Sequence, residues 1–98
     1  MTRRQFIIKL LKENKNPLSL NEIAEEIFID KKTVIEDLSH IAKTLKGKGK
    51  FQLIMFPPQC GICSFIFKNL KNPKLPSKCP KCKKSKIIPP EFTIKEIN

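Results

Sequence analysis

The sequence predicts an α+β fold: three helices, then two strands that bracket a four-cysteine metal module. Three observations predict it. Three runs of apolar residues at helical spacing, each opened by a capping residue, fill the first half of the 98 residues. Two β-forming stretches, 51–56 and 91–97, flank a segment closed off by Pro57-Pro58 and Pro89-Pro90. Inside that segment the cysteines are spaced Cys60-Gly-Ile-Cys63 … Cys79-Pro-Lys-Cys82, or C-x2-C-x15-C-x2-C.

Thr2-Arg-Arg-Gln5 has the form of a capping box, followed by Phe6, Ile7, Leu10 and Leu11 at helical spacing. This helix should end near Asn14, because Asn16-Pro17 disfavours its continuation. Leu18 then begins a short extended link. Ser19-Leu-Asn-Glu22 is a second capping box, and Leu20, Ile23, Ala24 and Ile27 form the face to be buried. Phe28-Ile29-Asp30 reads as a turn, with Asp30 as N-cap of a third helix. That helix carries Val34, Leu38, Ile41, Ala42 and Leu45 on one stripe, with Lys31, Lys32, Thr33, Glu36, Ser39, His40 and Lys43 on the other face. Gly47 and Gly49 should stop it.

The chain then changes character. Residues 51–56 are a compact apolar run, and from Glu91 to Ile97 Phe92 and Ile94 alternate with Thr93 and Lys95, as in a half-buried strand. Two strands separated from one module by stiff Pro-Pro pairs have the form of a hairpin with an insertion at its tip. In outline this is a winged helix-turn-helix, with residues 1–56 supplying the helices and first wing strand, 57–90 a zinc ribbon at the wing tip, and 91–98 the returning strand.

Two residues between thiolates let one tight turn aim both sulfurs at one ion, and two such turns complete a tetrahedron. Gly61 offers left-handed backbone freedom in the first turn and Pro80 stiffens the second. Cys60, Cys63, Cys79 and Cys82 are thus candidate ligands of one structural ion, zinc, with iron as the alternative because a rubredoxin uses the same four sulfurs. Paired CxxC turns are poor geometry for two structural disulfides, and the βαβ pattern that accompanies a redox CxxC is missing. Four protein ligands leave no open coordination position for hydrolysis. With no phosphate-cradling glycine loop and no nucleophile–His–acid set, the sequence predicts no enzyme.

Lysine and arginine number 20 against 9 acids, a formal charge of +11. Four thiolates and a divalent cation lower that to about +9. The surplus points to a polyanion, nucleic acid first, although a lysine-rich surface also typifies some hyperthermophile proteins. No stretch is long enough to span a membrane, and Lys9 and Lys12 interrupt the N-terminal apolar run, unlike a signal peptide. A reducing cytoplasm, where thiols bind metal, is the expected compartment. Candidate DNA contacts are Lys31, Lys32, Thr33, Ser39, His40 and Lys43 on the third helix, and Lys81, Lys83 and Lys84 beside the second cysteine turn. Phe65 and Phe67 are read as the small core of the metal module, with stacking on single-stranded bases as the alternative.

The stretch from Pro17 to Leu38 resembles the helix-turn-helix core of many winged transcription regulators, and Cys60–Cys82 resembles a rubredoxin-like zinc ribbon. In this order and length the two resemble the small archaeal predicted transcriptional regulators that fuse them. The resemblance implies duplex DNA as a partner and a metal that serves folding; a transcription protein docking on the ribbon is one alternative, and a rubredoxin-like electron carrier holding iron is another. Two positions depart from the pattern. Phe28 stands where such turns usually have Gly, leaving the turn free to differ from the compact one. In Thr33-Val-Ile-Glu36-Asp37-Leu38 the acid Glu36 stands where recognition helices often carry Arg, on the face that would meet phosphate.

Overall fold

A computed structural model describes residues 2–67 and 77–97, so part of the 57–90 module lies outside the described residues. The elements in order are α1 (Arg3–Glu13), β1 (Leu18–Ser19), α2 (Leu20–Ile27), α3 (Lys31–Lys48), β2 (Phe51–Phe56), β3 (Gln59–Cys60), β4 (Ile87–Ile88) and β5 (Glu91–Glu96). Both capping boxes form. The Thr2 hydroxyl accepts from the Gln5 N–H at 3.2 Å while Gln5 Oε1 accepts from the Thr2 N–H at 2.9 Å. Ser19 and Glu22 repeat the exchange at 3.1 and 3.0 Å. Asp30 caps α3 by accepting from the Thr33 N–H and, at 2.6 Å, from its hydroxyl. Each start thereby satisfies N–H groups that have no partner within the helix.

Two antiparallel sheets follow. The larger has strand order β1-β5-β2, with β2 and β5 in register from Phe51↔Glu96 to Phe56↔Glu91. The smaller pairs Gln59 with Ile88 and Cys60 with Ile87. The segment between β2 and β5 therefore leaves and returns at opposed residues, and Pro58 and Pro90 are buried where it does so. The core joins Ile7 and Leu11 of α1, Leu20 and Ile23 of α2, Val34, Leu38, Ile41 and Leu45 of α3, and Phe92 and Ile94 of β5. Apolar burial of this kind is the main driving force of folding.

Several sequence expectations are corrected. Ala42 is exposed and Asp37 takes the buried place beside Leu38. Arg3 Nε and Nη2 bond both carboxylate oxygens of Asp37, the second at 3.0 Å, and Arg4 Nε reaches Oδ1 at 3.0 Å. Periodicity could not reveal this, because the two arginines come from another helix. Gly47 does not stop α3; the helix runs through Lys48 and ends on Gly49 at φ 70°. Phe28 does not open the turn: it adopts the left-handed region itself, at φ 56° and ψ 43°, and caps α2. Finally, β5 buries Phe92, Thr93 and Ile94 in succession: Phe92 and Ile94 enter the core, and Thr93, which alternation puts on the opposite face, is covered as well.

Candidate metal centre and basic helix end

The two cysteine turns are built alike. In the first, the Cys60 N–H donates to Phe65 O at 2.8 Å and the Ser64 N–H to Cys60 O at 3.1 Å. In the second, the Cys79 N–H donates to Lys84 O at 3.0 Å and the Lys83 N–H to Cys79 O at 2.9 Å. The residue after each second cysteine is left-handed, Ser64 at φ 62° and Lys83 at φ 63°. The left-handed positions are thus these two and not Gly61, whose lack of a side chain serves a different need. A Cβ there would sit 3.2 Å from Lys86 Cγ and 3.3 Å from Lys86 O, and the Gly61 N–H donates to that oxygen at 2.8 Å. β3 and β4 hold the first turn in place, while Phe65 and Phe67 meet edge-to-face at 5.1 Å, as expected of a small core.

All four sulfurs lie within 4.8 Å of one another, with Cys60–Cys82 at 3.4 Å and Cys63–Cys79 at 3.5 Å. A tetrahedral ion with Zn–S bonds of about 2.3 Å separates its sulfurs by roughly 3.8 Å, so the donor set fits one four-coordinate metal. A disulfide would need about 2.05 Å. The backbone tunes the thiols. N–H groups of Cys63 and Ile62 point at the Cys60 sulfur and pull its pKa down to about 6. Burial opposes ionisation of Cys79, but N–H groups of Cys82 and Lys81 and the neighbouring thiols leave it lowered. The Lys84 N–H favours the Cys82 thiolate, yet burial and the other three sulfurs push that thiol up to about 12. Four sulfurs this close cannot all carry charge unless a cation sits among them.

Lys31 and Lys32 are exposed at the start of α3, and His40 and Lys43 are exposed further along it. Thr33 and Ser39 are half-buried, and both hydroxyl protons are already used, on Asp30 Oδ1 and on Ile35 O at 3.1 Å. Lys81, Lys83 and Lys84 are exposed on the second cysteine turn. Sequence reasoning missed the pairing of Arg3 and Arg4 with Asp37, and no spacing within one helix could signal it, because the partners lie 34 and 33 residues apart.

The class defined by these features is a small α+β protein, three helices on an antiparallel sheet, with a clustered four-cysteine metal site. The chain belongs to the PF0610-like family, whose N-terminal domain matches residues 2–54. The solution NMR structure of protein PF0610 from the archaeon Pyrococcus furiosus is similar at a TM-score of 0.75 and 38% identity, over 95% of this chain and 88% of that one. No curated protein matches the chain. Among the described residues, no helix is long and apolar enough to cross a membrane.

Proposed function

We propose that this protein is a DNA-binding transcriptional regulator, a winged helix-turn-helix whose wing tip is replaced by a structural zinc ribbon. The observation that carries the reading is the fate of Asp37. A helix with acids at both 36 and 37 would repel phosphate, but Asp37 is turned inward and neutralised by Arg3 and Arg4. What remains outside at the front of α3 is Lys31 and Lys32, with Glu36 one turn on. In this reading α3 approaches the major groove by its N-terminal end. The ribbon lysines Lys81, Lys83 and Lys84 lie along the backbone, contributing affinity and not sequence. Residues 57–90 act as the insertion and 91–98 as the returning wing strand. Zinc supplies folding energy and no chemistry, so the protein is not an enzyme, and it works in the cytoplasm.

The test is binding of the zinc-loaded protein to duplex from upstream of its own gene and to scrambled duplex, across a salt series. A preference that survives moderate salt is expected; weak, equal binding to both would sink the proposal. A second reading, a docking module of the transcription machinery, is favoured by Ile62, Ile66 and Ile88, apolar side chains left exposed on the cysteine module. Rubredoxin-like iron is tested by colour, since a ferric four-thiolate centre absorbs visible light and the zinc form does not.

A further inference from the structure

Among the described residues β2 is an open edge. Their strand order β1-β5-β2 leaves one of its sides without a neighbouring strand, while the opposite edge of the sheet is the two-residue β1. The Ile97 N–H donates to Lys50 O at 2.9 Å, so in the antiparallel register residues 50, 52, 54 and 56 bond inward to β5. Phe51, Leu53 and Met55 therefore point their N–H and C=O groups outward, and none of these has a backbone partner among the described residues. Natural edges are guarded by charge, proline or a bulge. Phe51-Gln-Leu-Ile-Met-Phe56 has none of the three, and its core-facing side chains are only half-buried.

Charge selects the occupant. Two copies of so basic a chain repel each other least where lysine is sparse. From Phe51 to Phe67 the chain has no charged residue, though 30% of the protein is charged. The run is also self-complementary. A two-fold axis through Leu53 sets Phe51 against Met55 of the partner subunit and Gln52 against Ile54 of the partner subunit. It faces Lys50 with the ring of Phe56 of the partner subunit, and no two like charges are opposed.

We infer that β2 is a homodimerisation edge, on which a second copy of this chain pairs antiparallel about Leu53 to continue the sheet. The pairing is isologous and closed, so it stops at two copies. It is independent of whether DNA is bound.

Sedimentation equilibrium of the zinc-loaded full chain should give a mass rising with concentration from 11.3 kDa towards twice that value. Hydrogen exchange read by NMR on the unaltered protein should show the outward amides of Leu53 and Met55 gaining protection over the same range. The double substitution Gln52→Lys with Ile54→Lys, which places lysine opposite lysine across the axis, should return the protein to monomer with its helical circular dichroism intact. A monomer up to millimolar concentration overturns the inference. So does a dimer whose Leu53 and Met55 amides stay unprotected, because that dimer would use another surface.

Discussion

At the scale of single residues, Asp37 and Phe28 are the two departures from a plain helical reading, and both are energetic statements. Asp37 is fully buried and hydrogen-bonded to two half-exposed arginines, Arg3 foremost, which together hold its carboxyl below the ordinary carboxylate range against the opposing cost of burial. A carboxylate with a depressed folded-state pKa stabilises the fold above its unfolded pKa, and that contribution fades as pH falls through the folded value. Asp37→Asn should accordingly cost about 2 kcal/mol at neutral pH, and the difference from wild type should shrink in acid. Urea melts at pH 7 and at pH 3 measure it; an equal cost at both would mean packing, not charge, holds α1 to α3. Phe28 is 92% exposed in a left-handed conformation that a side chain resists. Phe28→Gly removes the resistance and loses no packing, so thermal denaturation should show a gain of ~0.5 kcal/mol after the entropy glycine adds to the unfolded chain.

At the scale of elements, the cysteine module and α3 make opposite demands. Among the described residues the module has two-residue strands and a Phe65–Phe67 pair, little packing with which to hold four crowded thiols without an ion. Cys79→Ser should abolish stoichiometric metal uptake and expose the amides of β3 and β4 to exchange, while the helices stay folded on Phe92 and Ile94. A substituted protein that kept one metal per chain would refute a four-thiolate site. α3 draws its stability from the apolar core instead, so its outer face can change without unfolding. Glu36 is exposed there. Glu36→Arg should tighten duplex binding and steepen the logarithmic salt dependence by about 1 for one added phosphate contact. Unchanged binding in a protein that does hold DNA would move the interface off this face.

At the scale of the whole molecule, charge and hydrophobicity are segregated along the chain. Lysines stand at both ends of α3, Lys31 and Lys32 at its start and Lys43, Lys46, Lys48 and Lys50 towards and beyond its end, and around the second cysteine turn, whereas residues 51–67 contain no Lys, Arg, Asp or Glu. Such a division leaves one kind of surface for a polyanion and another for apolar contact. Phe51 shows how close the two come: Lys12 sits 3.8 Å over its ring, covering part of the aromatic face that β2 turns to the core.

Much of this was legible because it is local. Capping boxes at Thr2 and Ser19, the Asp30 cap and the paired CxxC turns each depend on residues within five positions, so spacing alone determined the helix starts and the candidate ligands. The return of β5 beside β2 was legible too, from matched apolar runs closed by Pro-Pro pairs. What tertiary structure decided lies between elements distant in sequence. Arg3 and Arg4 reach Asp37 across more than thirty residues, and nothing in the periodicity of α3 marks that carboxylate as internal. The core compels Phe28 into a glycine conformation, because burying α2 and α3 together outweighs the strain of one residue. Lys86 approaches Gly61 only because β3 and β4 pair. Local spacing is written in the chain; which charges meet, which backbone is strained and which strand edge stays open follow from the packing.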